Sequence, residues 1–380
     1  MVKTLLLTLT HYHILRFISA AGPTTRSELA ARIGLSKAAM SGLTRELLDA
    51  DLLCETSTVQ KQGRPSALLD LCPHGAYFVG VSMVSDPALM ALVDFRGAIV
   101  SRVKIERNLD PEALAGVVSD ALPILLGKAG IPKSLVQGMG VTVSGLVDHE
   151  QANIIKSTLL GWQDVPLAKY VHQQTQLPTF IENDAKTLAV SERLFGEARD
   201  RHSFSLIWLG EGIGAAHFVH DRLHRGAHGG AGEIAHCTID LDGLPCRCGK
   251  VGCLDTVASM IAILDMARAE GLKAETLNDI EVLAASGSSV AIRLLHRAGS
   301  ALGLAISQII QINDPQMIVV THRESRFDGL FATVMHQTIE ANVLPRLAGV
   351  TPIKTRRVAD EDWAIGAASV ATHSFLNGLI

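Results

Sequence analysis

Apolar residues follow one period at the start of the chain and a different period after about residue 76. In the first segment they recur three and four positions apart, which is the spacing of a helix with one buried face. After Tyr77, strand-like runs such as FVGVSMV, ALMALVDF and AIVSRVKI alternate with helical stretches. This alternation predicts an α/β body behind a small helical amino-terminal domain. Two comparable groups of strands, near residues 78–105 and 204–224, indicate two related lobes in that body.

Capping residues mark two helices of the amino-terminal segment. Thr25 and Glu28 have the spacing of a capping box, which opens the first of these helices. Gly34 suits the left-handed residue that ends it, and Ser36 is the expected N-cap of the next helix, residues 37–50. Two helices joined by a tight glycine turn are the signature of a helix-turn-helix.

The second helix of this pair has two predicted faces. Its apolar residues form an inward stripe of Met40, Leu43, Leu47 and Leu48. A recognition helix enters the major groove of DNA near its amino end. The polar side chains left for the outer face at that end are the predicted DNA-binding residues Ser36, Lys37, Ser41, Thr44 and Arg45.

A basic turn follows within the segment LLCETSTVQKQGRPSALLDL, between two strand-like runs. This hairpin fits the wing of a winged helix, and its Arg64 is predicted to enter a minor groove or to hold a phosphate. Eight Lys and Arg against six Asp and Glu give residues 1–75 a net charge of +2, whereas 26 against 32 give the remainder −6. DNA binding is the favoured interpretation of residues 1–75. The alternative is a helical protein-interaction module with a charged, solvated face.

The composition of the whole chain is that of a compact globular protein. Of its 380 residues 48% are hydrophobic and 19% are charged, and the net charge of −4 excludes a globally basic nucleic-acid binder. The opening run MVKTLLLTLT is too short for a secretory signal and lacks a cleavage pattern. No later segment is long and charge-free enough to span a bilayer. We therefore expect a cytoplasmic protein with no membrane partner.

Four soft ligands lie within eighteen residues of the second half of the chain: His236, Cys246, Cys248 and Cys253. Their number and type suit a tetrahedral Zn²⁺ with no position open for water, which is a structural site. Random placement hardly puts four of six cysteines between positions 237 and 253, and a disulfide within C-x-C is geometrically awkward. Cys237, next to the histidine, is interpreted as a bystander.

These features together resemble the ROK family of repressors, open reading frames and sugar kinases. The resemblance rests on the head, the string GE-x-x-H-x₉-C-x-C-G-x-x-GCL, the segment IENDAKTLA and the loop at 210–214. It implies an α/β fold class: a winged helix-turn-helix and then a two-lobe actin-like, hexokinase-type (ribonuclease H-like) body. The domains that it implies are a DNA-binding domain at 1–75, a first lobe at 76–195 joined by a carboxy-terminal helix at 363–380, and a second lobe with the zinc site at 196–362.

The resemblance also implies that kinase activity is lost. In family kinases the first strand runs into D-x-G-G-T, where this chain has SMVSD at 82–86. Their second phosphate loop reads G-T-G-I-G, whereas this chain has Glu211 within GEGIG, and a carboxylate repels polyphosphate. Their third nucleotide loop is a glycine triplet, which corresponds to Thr321, His322 and Arg323. We therefore expect no enzyme activity and no catalytic residue.

The family positions for sugar binding are retained. By resemblance, Asn183 and Asp184 match the pair that holds a sugar hydroxyl, and Asp184 stands at the base position of the kinases. Glu233 matches a hydroxyl-binding acid, and His236 matches a residue that ligates zinc and points its ring toward the sugar. Asp255 stands where the family usually has Glu. These five residues are the predicted sugar ligands.

The sequence therefore predicts a sugar-responsive transcriptional repressor of carbohydrate-metabolism genes. Its expected partners are operator DNA and a sugar or sugar-phosphate effector, and its expected assembly is a homodimer or homotetramer. One alternative is an ATP-dependent hexose or N-acyl-hexosamine kinase with a DNA-binding head, which needs Asp184 as its base. In another, the body recognises a protein partner and the sugar pocket is vestigial.

Overall fold

The structure is a computed structural model that describes residues 5–59 and 66–380. The chain forms two compact units. The first comprises Met1–Asp200 together with Asp360–Ile380, and the second comprises Arg201–Ala359. The amino-terminal helical segment and the first lobe thus belong to one unit, which the carboxy-terminal helix completes.

The amino-terminal segment is a winged helix. Its elements are helices α1 (Leu9–Ala21), α2 (Arg26–Ile33) and α3 (Lys37–Asp49) and strands β1 (Thr24–Thr25), β2 (Leu53–Val59) and β3 (Ser66–Leu71). The strands form an antiparallel sheet in the order β1-β3-β2. The predicted caps are confirmed, because Thr25 and Glu28 form a capping box, Gly34 is left-handed and the Ser36 hydroxyl accepts the amide of Ala39.

One residue of the recognition helix was placed on the wrong face. Thr44 was predicted to lie outside, but its side chain is fully buried and its hydroxyl donates to the carbonyl of Met40 at 2.8 Å. The buried stripe of α3 is Met40, Thr44 and Leu47, while Leu43 is only partly buried. The helix is rotated relative to the prediction because a threonine can enter a core once its hydroxyl bonds to its own helix. Thr44 is therefore not a DNA-contacting residue.

The body of the first unit is built on a five-stranded sheet. Its strands, in the order β11-β7-β4-β5-β6, are β4 (Tyr77–Ser82), β5 (Ala88–Asp94), β6 (Ile99–Ile105), β7 (Val136–Val143) and β11 (Thr179–Asn183). A separate small sheet has strands β8 (Leu146–Val147), β9 (Ile154–Ser157) and β10 (Trp162–Val165). The helices of this body are α4 (Pro111–Ala129), α5 (Leu167–Thr175), α6 (Asp184–Phe195) and α12 (Asp360–Leu376).

Helix α12 packs unusually close to the first sheet. Added Cβ atoms at Gly80 and Gly140 would lie 1.8 Å from the carbonyl oxygens of Ala364 and Ala367. Glycine at these two strand positions is therefore what allows the helix backbone to approach the strands. Along the helix Trp363 is fully buried, so this contact is part of the core of the unit.

The winged helix contacts helix α12 and the residue that follows it. Arg16 of α1 donates to the Asn377 side chain at 2.9 Å, and Tyr12 meets Phe375 edge to face at 6.2 Å. The guanidinium of Arg199 donates to the carbonyls of Ser19 and Ile18, the latter at 3.3 Å, near the carboxy end of α1. The head is therefore docked on the first lobe by side-chain contacts and not by the chain connection alone.

The second unit repeats the sheet topology of the first. Its strands, in the order β14-β13-β12-β15-β16, are β12 (Phe204–Leu209), β13 (Ile213–Val219), β14 (Arg222–Leu223), β15 (Ile318–His322) and β16 (Ile353–Arg357). In both sheets an antiparallel meander of three strands is extended by two strands parallel to its first strand. The helices are α7 (Asp255–Ala258), α8 (Met260–Ala269), α9 (Leu277–Ala285), α10 (Ser289–Asn313) and α11 (Leu330–Asn342).

Short 3₁₀ turns complete the fold at Lys133–Leu135, Ile234–His236 and Pro345–Leu347. Within the described residues, no helix combines the length and the apolarity that crossing a bilayer requires.

Candidate functional site

The four predicted metal ligands meet in the second unit. One ligand atom from each of His236, Cys246, Cys248 and Cys253 lies within 4.8 Å of the others. The sulfurs of Cys248 and Cys253 are 3.7 Å apart, and His236 Nδ1 is 3.6 Å from the Cys246 sulfur. A tetrahedral ion about 2.3 Å from each sulfur requires sulfurs about 3.8 Å apart. The cluster therefore has the dimensions to hold a metal ion, and Cys237 lies outside it.

Two thiols of this cluster have pKa values shifted in opposite directions. Burial, together with hydrogen bonds to Cys248 and Cys246, raises the pKa of Cys253 to about 12. The amide of Lys250 lowers the pKa of Cys248 by hydrogen bonding. One thiolate is thus favoured and a second is opposed by the charge of the first, which is the condition that a divalent cation relieves.

Tight backbone turns hold the ligand loop. The amide of Cys246 donates to the carbonyl of Lys250 at 2.7 Å, and the amide of Gly249 donates back to Cys246 at 2.9 Å. Gly252 has φ +71°, and a Cβ there would lie 1.5 Å from the carbonyl oxygen of Asp240. The Lys250 ammonium reaches the carbonyl of His236 at 2.5 Å. The glycines and the lysine thus bring His236 next to cysteines that are ten or more positions away in the chain.

Arg247, between two of the cysteines, links the ligand loop to the turn between β12 and β13. Its guanidinium pairs with the buried carboxylate of Asp255 at 3.1 Å. The other carboxylate oxygen of Asp255 accepts the amide of Ile213 at 3.3 Å. A Cβ on Gly212 would lie 2.5 Å from the Arg247 guanidinium, so the arginine covers this turn. The ligand loop is therefore in direct contact with the loop at 210–214, which was compared above with the second phosphate loop of the kinases.

The predicted sugar ligands of the second unit differ in exposure. Asp255 is buried and both of its oxygens are engaged, by Arg247 and by Ile213. Glu233 is exposed, at the residue before the 3₁₀ turn that carries His236, which is partly buried. The sugar roles of these three residues stay predictions.

The predicted pair of the first unit lies where β11 passes into α6. Asn183 is the N-cap of α6: its side-chain oxygen accepts the amides of Ala185 and Lys186, and its amide group donates to Gly145 at 3.0 Å. The next residue, Asp184, accepts the Ser144 hydroxyl at 2.7 Å. Burial raises the pKa of Asp184, and the Ser144 hydrogen bond opposes that rise. The carboxylate is thus a basic acceptor held in one orientation, which suits a hydroxyl ligand.

Residues of the three compared loops differ in burial. Ser82 is fully buried at the end of β4. Thr321 is fully buried in β15, and its hydroxyl donates to the carbonyl of Ile207 at 3.0 Å. The ring of His322 stacks on Phe327 at 4.4 Å, and burial lowers the pKa of His322. The Glu211 carboxylate is exposed in the turn between β12 and β13. The three loops thus carry side chains at positions compared above with the phosphate-binding residues of the kinases.

The predicted DNA-contacting residues divide into three groups. Ser36, Lys37, Ser41 and Arg45 are exposed on α3, as an interface with DNA requires. Thr44 is buried, as described above. Arg64 lies outside the described residues.

Comparison with known proteins then gives the family. A family profile described as "ROK family" matches residues 78–374, and one described as "MarR family" matches residues 7–64. The chain belongs to the ROK family. The resemblance deduced from its motifs is thereby confirmed, as is the fold class of a winged head on a ROK body.

Individual relatives of this ROK chain include both regulators and kinases. The xylose repressor of Bacillus spizizenii is 26% identical over 367 residues, which are 96% of this chain and 95% of the repressor. The glucokinase of Halalkalibacterium halodurans is 29% identical over 308 residues, 76% of this chain and 93% of the kinase. Among solved structures, a ROK family transcriptional regulator that is a homologue of the E. coli MLC protein superposes with a TM-score of 0.80 at 26% identity, covering 98% of this chain and 97% of that chain. The two regulators thus match almost the full length of this chain, whereas the glucokinase matches 76% of it.

Sequence reasoning missed three residues that hold the predicted ligands in place. Arg247 holds Asp255, Ser144 orients Asp184, and Lys250 bonds to the backbone of His236. A cation between two cysteines was the only sequence signal for Arg247. No signal marked Ser144, because its partner is 40 positions away in the chain.

Proposed function

We propose that this chain is a sugar-responsive, DNA-binding repressor of carbohydrate-metabolism genes that acts in the cytoplasm as a homodimer or homotetramer. The observation that carries the proposal is a winged helix docked on a ROK body, and a relative named as a repressor matches this chain over almost its full length. A dimer would offer two α3 helices to successive major grooves of a near-palindromic operator.

The DNA interface that we propose is the exposed side of α3 with the wing. Ser36, Lys37, Ser41 and Arg45 would face the major groove, and Arg64 would reach the minor groove or a phosphate. The test is the affinity of Arg45→Ala and Lys37→Ala for a duplex selected in vitro by the wild-type chain. A lost phosphate contact reduces the slope of log affinity against log salt by about 1, and a lost base contact costs about 1–3 kcal/mol. Unchanged affinity in both variants would argue against this surface.

We propose that the effector is a sugar or sugar phosphate, with Asn183, Asp184, Glu233, His236 and Asp255 as its ligands. The retention of these polar residues, with Asp184 oriented by Ser144, supports the proposal. The effector would release DNA only if it binds the two conformations of the protein with different affinities. A thermal-shift screen of sugars, sugar phosphates and ATP tests this, because a ligand specific to the native state raises Tm. A sugar hit without an ATP hit is the expected result.

We propose that the ion at the four-ligand cluster is Zn²⁺ with a structural role. Three sulfurs and one imidazole are the donors that tetrahedral zinc prefers, and all four positions are taken by protein. Bound zinc would neutralise the thiolates; the chain's own glycine turns and Lys250 hold the loop in register. Metal analysis of Cys246→Ser against Cys237→Ser is the test, since only the first removes a ligand. Equal zinc in both variants would refute the assignment.

We further propose that the chain has lost sugar kinase activity. Ser82 stands where the first kinase loop has an aspartate, Thr321 stands where the third has a glycine, and the carboxylate of Glu211 stands where the second has a hydroxyl, which supports the loss. Coupled-enzyme assays with hexoses and N-acyl-hexosamines plus ATP should give no turnover above the buffer blank.

An ATP-dependent sugar kinase is the second candidate function. The observation in its favour is Asp184, because burial raises its pKa toward the range of a general base, and a glucokinase is among the relatives. Turnover that Asp184→Asn abolishes would favour this candidate over a regulator. Absence of any sugar hit together with capture of one defined protein partner would instead favour a protein-recognition role.

A further inference from the structure

Two cysteines outside the metal cluster lie side by side on the winged helix. Cys54 is in β2, opposite Asp70 of β3, and the amide of Cys72 donates to the carbonyl of Leu52 at 3.0 Å. Because side chains alternate along strands and opposed residues share a face, Cys54, Asp70 and Cys72 lie on one face of this hairpin. The Cys54 thiol donates to the carbonyl of Leu71, the residue before Cys72, at 3.9 Å, and both cysteine side chains are partly exposed.

This face meets the first lobe. Arg96, two residues after β5, donates through Nε to the carbonyl of Leu71 at 2.9 Å and pairs with the carboxylate of Asp70. The amide of Phe95 donates to the carbonyl of Pro73 at 3.2 Å. The thiol pair therefore lies in the junction that fixes the wing to the body, with Asp70 and its arginine on the same face.

The electrostatic surroundings of the pair are mixed. Burial and the neighbouring Cys72 raise the pKa of Cys54, whereas the Arg96 cation opposes that rise. The net effect is a raised pKa, so the Cys54 thiolate, which is the form that reacts with oxidants, is a minor species that the guanidinium favours.

We propose that Cys54 and Cys72 are a reversible dithiol–disulfide modification site, oxidised by a peroxide and reduced by a cellular dithiol. One thiolate attacks the O–O bond of hydrogen peroxide, forming a sulfenic acid and releasing hydroxide, which takes up the thiol proton as water. The second sulfur then attacks the sulfenic sulfur, an S–S bond forms, and the hydroxyl leaves as a second water with the second thiol proton. Two thiols lose two electrons and two protons, and one peroxide becomes two waters.

The disulfide acts on the junction as well as on the two sulfurs. An S–S bond of about 2.05 Å is much shorter than a contact between thiols, so forming it draws the two cysteine side chains together on the face that carries Asp70. The Asp70 contact with Arg96 is the contact adjacent to this movement. Provided that the chain binds DNA as proposed above, oxidation re-aims the wing and lowers operator affinity by about fivefold or more, the lower end of common coupling strengths.

Peptide mapping of the zinc-loaded full chain tests the site without reference to DNA. Trypsin cuts after Lys61, between the two cysteines, so a disulfide joins two separate peptides. After graded hydrogen peroxide and alkylation of the remaining thiols, wild type and Cys237→Ser should both yield this linked pair, and dithiothreitol should remove it. If Cys237 becomes oxidised at doses that give no linked pair, the proposal is overturned.

Binding to a duplex selected in vitro by the reduced chain tests the consequence. Peroxide should weaken binding by wild type and Cys237→Ser about fivefold or more, reversibly, and leave Cys54→Ser/Cys72→Ser unchanged. Equal loss in the double variant would overturn the coupling and assign the effect to other thiols, which zinc release would report. If the reduced chain selects no duplex, the proposed function fails, while the linked peptide still decides the site.

Discussion

Replacing Gly140 by alanine should destabilise the first unit strongly, because helix α12 occupies the space of the new methyl group. The Cβ would lie 1.8 Å from the carbonyl oxygen and 2.7 Å from the carbonyl carbon of Ala367. Ordinary contact begins near 3.4 Å, so the helix or the strand must move by about 1.6 Å at this point. Overpacking of a core costs about 1–3 kcal/mol, and a clash between two backbones belongs at the upper end, about 3 kcal/mol.

Gly116→Ala is a matched control for which we expect the opposite change in stability. It lies inside helix α4, and a Cβ there meets no atom within 4 Å. Gly116→Ala should therefore stabilise the protein by about 0.5–1 kcal/mol, because alanine loses less backbone entropy in a helix.

Thermal and urea unfolding of both variants is the measurement. A change of 1 kcal/mol moves Tm by about 2–4 °C for a unit of this size, so Gly140→Ala should melt about 6–12 °C below wild type. Because Tyr12 of α1 contacts Phe375 of α12 and Arg16 of α1 contacts Asn377, the residue after α12, Gly140→Ala should bind operator more weakly even when folded. A Tm equal to that of wild type would show that α12 does not lie this close to the sheet and would refute the reasoning.

The remaining predictions concern the recognition helix, the first-unit carboxylate and the metal loop. Ser36→Ala should lower stability by about 1 kcal/mol through loss of the N-cap, whereas Ser41→Ala, exposed on the same helix, should not; equal unfolding curves for the two would contradict the cap. Burial raises the pKa of Asp184, so the stability that its proton supplies is present below its ordinary pKa of 3.8 and is lost as pH rises through the folded value. Asp184→Asn should therefore raise Tm at pH 7, and the gain should shrink toward pH 4; a gain that does not vary with pH would point to another cause. Arg247→Ala should lower the free energy of unfolding by about 1 kcal/mol. This value is small for an ion pair with a buried carboxylate because the arginine side chain is 55% exposed. Adding Asp255→Asn should restore part of that loss of stability. A fully additive double-mutant cycle would contradict the ion pair between Arg247 and Asp255.

Local signals account for the parts of the fold that the sequence predicted well. The capping box of Thr25, the left-handed Gly34 and the N-cap Ser36 depend on neighbours three or four positions away, so their chemistry is visible in the printed order. The metal cluster is similar, since eighteen consecutive residues contain all four ligands.

Errors and omissions arose where a distant partner decides the outcome. Thr44 was placed outside because apolar periodicity assigns threonine to a polar face, whereas the docking of α3 turned it inward. Ser144 had no recognisable signal, and Arg247 had only that of a cation between two cysteines, because their partners Asp184 and Asp255 come from other elements of the fold.

The sequence by itself determined the class of protein: a winged helix, an α/β body of the ROK family and a loop with four residues that can hold a metal ion. Only the tertiary structure decided how these parts are connected. It showed that Arg247 joins the metal loop to the β12–β13 turn and that Arg96 and α12 hold the winged helix on the first lobe. The physical reason is the distance along the chain between the interacting residues. Caps, turns and ligand spacings are fixed by covalent neighbours, whereas ion pairs and helix–sheet contacts exist only after the chain has brought residues far apart in sequence together.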